Sequence, residues 1–98
     1  MGFVAIYRWK VEPGHEAGFR DQWRAITSQA LELGGLGSCL TRSSDGEYVA
    51  IALWPSERAR AEAFEKIQSA PAPGVRRLSE WQLQVEDDLW VNSPFGRK

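Results

Sequence analysis

The side chains best suited to chemistry in this sequence are aromatic, and two arginines lie near them along the chain. The set comprises Tyr7, Trp9, Trp23, Tyr48, Trp54 and Trp81, with Arg8 and Arg42. Hydroxyl, indole N–H and guanidinium groups donate hydrogen bonds, so they can hold a phenolate or enolate oxygen. An apolar pocket with a few polar groups is the usual form of a small-molecule site. The set therefore favours a site for a planar molecule, although each ring taken alone is more typical of a core.

Other catalytic signatures are absent from the sequence. It contains no P-loop and no G-x-G-x-x-G, H-E-x-x-H or G-x-S-x-G motif. We predict that His15, the single histidine, is a solvated residue at a helix start, and that Cys39 is a small buried hydrophobe. Asp87 and Asp88 are adjacent, and on a regular strand their side chains point to opposite faces. We therefore expect neither a metal site nor an acid–base pair.

The composition limits the class of protein. A length of 98 residues allows one small domain, and 43% hydrophobic with 26% charged residues is typical of a globular chain. The net charge is −1 and the 12 lysines and arginines form no basic stripe, which argues against nucleic acid as a partner. No apolar run is long enough to span a membrane. The single cysteine excludes an internal disulfide and no signal peptide is recognisable, so we expect a cytoplasmic location.

Periodicity and turn signals indicate the elements that would position the aromatic residues. Residues 3–11, "FVAIYRWKV", predict a strand. A helix follows from His15, with an apolar stripe at Phe19, Trp23, Ile26, Ala30 and Leu33. The glycines in 34–37 end that helix. Residues 36–54 predict a hairpin in which Asp45-Gly46 forms a two-residue type I′ turn.

The second half of the chain repeats the strand–helix–strand pattern. Ser56 is a suitable N-cap for a second helix, and "APAPG" at 70–74 predicts a connector. The last strand alternates between an apolar set and a polar set: Trp81, Leu83 and Val85 against Glu80, Gln82, Gln84 and Glu86. We interpret residues 1–98 as a single domain with a core of about 3–91 and a C-terminal tail at 92–98.

The element order predicts an α+β, ferredoxin-like βαββαβ fold with a four-stranded antiparallel sheet and two helices on one face. That topology places the first and third strands in the centre of the sheet, and the sequence agrees, since both are apolar on both faces. Two helices cover only one face, so an apolar set would remain on the other: Val4, Ile6, Val49, Ile51 and Leu53. Such a face normally marks an interface. We therefore predict a homodimer packed sheet to sheet, a dimeric α+β barrel.

The predicted turn also fixes a register for the hairpin. A two-residue loop at Asp45-Gly46 places Cys39 opposite Ala52 and Gly37 opposite Trp54. One face of the hairpin would then consist of small side chains, with Tyr48 and Trp54 at its two ends. Two interpretations remain open: the small residues let the first helix pack closely on the sheet, or they leave a cavity with aromatic ends.

Two stretches, "YRWKVEPGHEAGF" and "VAIALWPSERARAEAF", resemble the antibiotic biosynthesis monooxygenase (ABM) domain family of the dimeric α+β barrel superfamily. The first is a strand, a Pro-Gly and a helix with an early Phe; the second is a strand that ends in Trp before a Ser-capped helix. The resemblance implies a dimer formed through the sheets and a pocket between sheet and helices. Some members oxygenate polycyclic phenols or quinols with O2 and without metal or flavin, and others degrade haem.

Only some functional positions of the family are matched by the same residue type in this chain. The tryptophan of the active members falls on Trp54. The histidine that haem degraders place nine residues later falls on Ala63, and asparagines used by other members fall on Tyr7 and Ala50. We therefore expect no haem degradation and no bound cofactor.

Two functions follow as hypotheses. The first is a cofactor-independent monooxygenase, or a related small-molecule enzyme, acting on a planar quinol- or phenol-type substrate. Its predicted catalytic residues are Trp54 and Tyr48, and its predicted substrate-binding residues are Tyr7, Trp9, Arg42 and Trp81. The second is a non-catalytic, dimeric ligand-binding or assembly module of the same fold.

Overall fold

The computed structural model describes residues 2–96 as four strands and two helices. The elements are β1 (Phe3–Val11), α1 (Glu16–Glu32), β2 (Gly37–Arg42), β3 (Tyr48–Trp54), α2 (Glu57–Phe64) and β4 (Val75–Gln84). The strands form one antiparallel sheet in the order β2-β3-β1-β4. The predicted ferredoxin-like fold, with β1 and β3 in the centre, is confirmed.

Alternation along the two central strands separates a helix-facing side of the sheet from an outer side. The buried residues on the helix-facing side are Phe3, Ala5, Tyr7, Tyr48, Ala50 and Trp54. Phe19 of α1 packs against the rings of Trp9 and Tyr48 on this side. Ala63 of α2 clusters with Phe3 and Trp54. Both helices therefore cover the same face.

Helix α1 ends where the glycines predict it. Gly34 adopts a positive φ of 101°, and the N–H of Gly35 donates to the carbonyl of Ala30 at 2.8 Å. This is the Schellman pattern, in which a glycine in the left-handed region lets the chain reverse out of the helix. A Cβ on Gly35 would meet the Ala30 carbonyl oxygen at 2.9 Å and the Trp54 ring at 3.4 Å. The turn out of α1 thus passes close to the end of β3.

The hairpin turn has one residue more than predicted. Ser43 N donates to the carbonyl of Glu47 at 2.8 Å, and Gly46 N donates to the carbonyl of Ser43 at 3.0 Å. The loop therefore holds Ser44, Asp45 and Gly46. Gly46 alone has a positive φ, of 88°, whereas a type I′ turn requires positive φ at both central residues. A three-residue loop with glycine in the left-handed position replaces the predicted turn.

The longer turn shifts the register of β2 by one residue. Leu40 pairs with Ala50 and Ser38 with Ala52, whereas the two-residue turn would have placed Cys39 opposite Ala52. Since side chains alternate between faces, a shift of one turns every β2 side chain over. The prediction of a buried Cys39 is wrong for this reason: Cys39 is exposed, and its register partner is Ile51 on the outer side of the sheet.

Helix α2 begins as predicted. Ser56 has an extended backbone and its hydroxyl accepts a hydrogen bond from the N–H of Ala59 at 3.1 Å. Glu57 supplies a negative charge in the first turn, which interacts favourably with the helix dipole. The N-cap therefore fixes the point at which the chain leaves Trp54 and turns over the sheet.

The outer side of the sheet is apolar across three strands. Register pairs join Ile6 to Ile51 and to Trp81, and Val4 to Leu53 and to Leu83. Trp81 is 53% exposed. An irregularity in the β1–β4 pairing between Arg8 and Trp9 realigns the first part of β4. The apolar side predicted from the sequence is present.

The chain beyond β4 returns to the start of β1. Val85 N donates to the carbonyl of Gly2 at 2.9 Å. A Cβ on Gly2 would collide with the ring of Phe95, so that ring lies against the Gly2 backbone. Part of the predicted tail therefore packs on the domain, while its positions 97 and 98, like Met1, lie outside the described residues. Of the helices in 2–96, none is both long and apolar enough to cross a membrane.

Candidate functional site

A cavity of about 380 Å³ lies between the helix-facing side of the sheet and helix α1. Alanines form its floor, because Ala50 and Ala52 project from β3 where larger side chains would fill the space. Ala50 is 1% exposed, and Ala5, which lies opposite Ala52 on β1, is fully buried. A volume of this order matches the pockets that hold small organic ligands.

The walls of the cavity are aromatic and aliphatic. Its lining includes Tyr7 and Trp9 from β1, Trp54 from β3, and Phe19, Trp23 and Ile26 from α1. The Tyr7 and Trp9 rings stack with centroids 5.5 Å apart and planes inclined by 21°. Trp9 and Phe19 meet edge to face at 5.1 Å. Flat aromatic surfaces in contact with one another favour a planar, apolar ligand.

Tyr7 and Trp54 stand at opposite ends of the alanine floor. Tyr7 pairs with Ala50, and Trp54 lies four residues further along β3. Four residues of strand span about 13 Å, which sets the long dimension of the floor. That distance suits a molecule of two or three fused rings lying along β3.

The hydroxyl of Tyr7 is held by an arginine from α2. Arg60 Nη2 donates to it at 2.6 Å and Arg60 Nε at 3.3 Å. Arg60 Nη2 also pairs with Glu80 Oε2 on β4 at 3.2 Å. Because guanidinium has donors and no acceptor, the Tyr7 oxygen accepts both bonds and its own proton is left to donate elsewhere.

Arg77 joins this cluster from β4 and also lines the cavity. Its guanidinium lies 5.3 Å from the centre of the Tyr7 ring. Its Nη1 donates to Glu80 Oε1 at 2.7 Å. Glu80 is thus shared by Arg60 and Arg77. Of this cluster, Tyr7 and Arg77 line the cavity, and Arg77 is its one charged lining residue among those that the structure describes.

Trp54 forms the other end of the floor and is 2% exposed. Its ring contacts that of Phe64 at a centroid distance of 6.0 Å. The indole N–H is buried and finds no hydrogen-bond partner among the described residues. Packing against Phe64, Phe3 and Ala63 holds the ring in place.

Tyr48 and Arg42, two of the predicted site residues, lie together beside the cavity and are not in its lining. The Tyr48 hydroxyl accepts a hydrogen bond from Arg20 Nη1 at 3.2 Å, and Phe19, a lining residue, contacts the Tyr48 ring. The Arg42 guanidinium lies 4.9 Å from the Tyr48 ring centre and 4.0 Å from Glu16 Oε2. Tyr48 thus supports the wall of the cavity from behind.

Trp81 lies on the outer side of the sheet, as the pairing with Ile6 requires. The cavity is on the other side. The structure therefore brings Tyr7, Trp9 and Trp54 together around one space and places Tyr48, Arg42 and Trp81 elsewhere.

The segment between α2 and β4 closes one side of the cavity with Ser69, Ala70, Pro71 and Ala72. Two glutamines of α1 hold its backbone. Gln29 Nε2 donates to the carbonyl of Gln68 at 2.8 Å and its Oε1 accepts from Gln68 N at 3.0 Å, while Gln22 Nε2 donates to the carbonyl of Ala70. This wall is therefore attached to α1 by side chains, with no regular secondary structure of its own.

The site residues predicted from the sequence did not include Arg60, Arg77 or Glu80. One signal for Arg60 was present: it stands three residues before Ala63 and four before Phe64, on the inner side of an amphipathic helix, where a charge needs a partner. Glu80 follows the polar side of β4 and lies opposite Tyr7 in the regular part of the β1–β4 pairing, whereas the position of Arg77 opposite Trp9 depends on the irregularity between Arg8 and Trp9.

No protein-family model matches the chain, and no curated protein matches it. Solved structures do match. SnoaB from Streptomyces nogalater, a cofactor-independent oxygenase, is 19% identical with a TM-score of 0.71, and the match covers 90% of this chain and 96% of SnoaB. Haem-degrading protein Rv3592 from Mycobacterium tuberculosis is 20% identical with a TM-score of 0.68, covering 92% and 100% of the two chains.

A third similar structure is a candidate antibiotic biosynthesis monooxygenase from Chloroflexus aurantiacus J-10-fl. It is 9% identical with a TM-score of 0.64, and the match covers 94% of this chain and 100% of the other. These likenesses extend over nearly the whole of each chain, and TM-scores of 0.64 to 0.71 establish a shared fold. The protein has the fold of the antibiotic biosynthesis monooxygenase domain.

Proposed function

We propose that this protein is a monooxygenase, or a closely related enzyme, that acts on a planar quinol- or phenol-type substrate bound in the cavity. The observation that carries the proposal is the alanine-floored space between Tyr7 and Trp54, about 380 Å³ in volume and walled by aromatic rings. The likeness to SnoaB supports the reaction class.

In the proposed reaction the substrate supplies the electrons. For an anthrone, the ring CH2 carbon loses a proton to water and the resulting anion reduces O2. One oxygen atom becomes the new carbonyl, and the other leaves as water with the two hydrogens. Atoms and electrons then balance with O2 as the oxidant.

The chain's part in this reaction is to bind and to stabilise charge. The Tyr7 hydroxyl, with its oxygen occupied by Arg60, would donate its proton to the oxygen on which negative charge develops. A donor placed in advance at such an oxygen is among the larger contributions that a protein makes to catalysis. Trp54 and Trp9 would hold the ring system flat over Ala50 and Ala52.

Haem does not suit this cavity. At the position where the resemblance expects an iron-binding histidine, Ala63 is buried and packs in the cluster of Phe3 and Trp54. His15, the single histidine of the sequence, is not among the residues that line the cavity.

We also propose a homodimer formed through the outer side of the sheet. Fully burying an aliphatic or aromatic side chain contributes roughly 1.5–3 kcal/mol. Ile6, Ile51, Trp81 and Leu83 form one continuous apolar surface there. A second copy covers it best, because the same surface on both chains is self-complementary in a two-fold dimer.

Oxygen consumption tests the proposal. Metal-free protein would be supplied with anthrone- and naphthol-type compounds, and products identified by mass spectrometry. We expect uptake that falls in Trp54→Phe, which keeps an aromatic ring but changes the cavity wall. Trp90→Phe makes the same change at a residue 58% exposed and is the control. Binding of these compounds without any oxygenated product would favour the alternative, a non-catalytic ligand-binding module.

A further inference from the structure

We propose that the ligand of this cavity carries a carboxylate, which binds at Arg77 beside Tyr7. The inference rests on the proposed function, since it assumes that the cavity takes a planar aromatic molecule. Beyond that function, the ligand must carry a negative charge at one end.

Two positive charges and one negative charge meet beside Tyr7. Arg60 and Arg77 both pair with Glu80, at 3.2 Å and 2.7 Å. Arginine stays protonated in proteins, so two positive charges share one carboxylate and the cluster carries a net charge of +1. Gln82 Nε2 donates to Glu80 Oε2 at 2.7 Å as well, so the carboxylate is surrounded by donors.

Exposure differs among the three side chains and places the available charge at Arg77. The side chains of Arg60 and Glu80 are only 15% and 24% exposed, whereas that of Arg77 is 56% exposed and also lines the cavity. Arg60 donates to Tyr7 through Nε and Nη2 and to Glu80 through Nη2. Arg77 uses one nitrogen for Glu80, and its remaining donors can reach a ligand. Guanidinium binds carboxylate in a planar, two-bond geometry that a neutral group cannot reproduce.

The remaining surroundings do not neutralise the cluster. The other lining residues carry no charge, and their polar groups are those of Gln22, Thr27, Ser38, Ser69 and the indoles. A neutral aromatic molecule would shield the Arg77 guanidinium from water without neutralising its charge. An aromatic carboxylate would place its rings along the alanine floor and its charge at Arg77.

Two probes of nearly equal shape separate charge from hydrophobic fit: 2-naphthoate and neutral 2-naphthamide, titrated calorimetrically at neutral pH. We expect 2-naphthoate to bind about tenfold more tightly or better, as a charge-assisted pair implies. Arg77→Gln should bring the ratio of affinities close to one while 2-naphthamide still binds, which shows that the cavity is intact. Arg76→Gln removes the same charge one residue away, outside the cavity lining, and should leave the ratio unchanged.

A second substitution should shift the ratio of affinities in the opposite direction. Glu80→Gln removes the shared carboxylate and should raise the preference for 2-naphthoate. Equal binding of the two probes to the wild type, or a ratio unaffected by Arg77→Gln, would overturn the inference and leave the proposed cavity standing. Failure of both probes to bind would instead refute the cavity as a site for planar aromatics, and the inference with it.

Discussion

Arg60 and Tyr7 are 53 residues apart in sequence, yet Arg60 Nη2 lies 2.6 Å from the Tyr7 hydroxyl oxygen. The bond joins α2 to the central strand β1 at the edge of the cavity. It also determines the direction of hydrogen bonding at the hydroxyl. Arg60 can only donate, so the Tyr7 oxygen accepts. Tyr7 is therefore prepared to donate a hydrogen bond, which is the role that a developing oxyanion requires.

The two buried tyrosines give the first prediction. Tyr7→Phe should lower kcat for a phenolic substrate on the order of 10²-fold, the cost of removing one oxyanion donor. Tyr48→Phe also removes a hydroxyl bonded to arginine, Arg20, so each variant should lose about 1 kcal/mol of stability. Steady-state kinetics on both variants separate the sites. A larger kcat loss in Tyr48→Phe would favour the assignment made from sequence over the one made from the cavity.

The alanine floor gives a steric prediction. Ala50→Leu would extend a side chain into the cavity, so the affinity for 2-naphthamide should fall about tenfold or more. The added atoms enter existing space, so we expect the free energy of unfolding to change by about 1 kcal/mol or less. Isothermal titration and thermal unfolding measure the two quantities. Ala61→Leu, at an exposed position on α2, is the matched control; unchanged affinity in Ala50→Leu would show that ligands bind elsewhere.

Acid sensitivity of the hairpin gives a third prediction. The Ser43 hydroxyl donates to the Asp45 carboxylate, and this bond, with a weaker one from the Glu47 N–H, lowers the pKa of Asp45 below its ordinary value of 3.8. A lowered pKa in the folded state stabilises the protein above the unfolded-state value, and that contribution is lost as the pH falls through the folded-state value.

Asp45→Asn should therefore lower Tm at pH 7, and the difference from wild type should shrink below about pH 4. Thermal unfolding followed from pH 7 to about pH 2 checks it. Asp21→Asn, on the exposed side of α1, removes the same charge as a control. A difference that stays constant with pH would mean that Asp45 acts through turn conformation and not through its charge.

The outer side of the sheet gives a fourth prediction. Light scattering at micromolar concentration should show twice the 11.0 kDa chain mass. Trp81→Glu places a charge in the apolar surface shared with Ile6 and should yield the monomer. Ala61→Glu adds the same charge on α2, away from that surface, and should remain dimeric. A monomeric wild type would exclude the sheet-to-sheet dimer.

Much of the fold could be predicted from local patterns. Period-two alternation, the stripe from Phe19 to Leu33, the Gly34 stop and the Ser56 cap are short-range signals, and their order is enough to specify the sheet. The aromatic end at Trp54 could also be foreseen, because it follows from the alternation of a single strand.

Registers between strands could not be predicted in the same way. Asp45-Gly46 fits both a two-residue and a three-residue loop, and only the backbone angle of Asp45 separates them. The Tyr7–Arg60–Glu80 cluster combines a helix, a central strand and an edge strand whose pairing is irregular. Its members are 53 and 20 residues apart, and no local pattern specifies that meeting.

The three-residue turn at Ser44–Gly46 also bears on how such a protein can evolve or be engineered. Deleting Ser44 would restore the two-residue loop and rotate β2 half a turn about its own axis relative to β3. Leu40 and Ser38 would exchange places with Cys39 and Thr41, so a thiol would enter the interior and a leucine would leave it. A single deletion in an exposed loop would thus exchange the side chains that β2 presents to the two faces of the sheet, with no substitution in the strand itself.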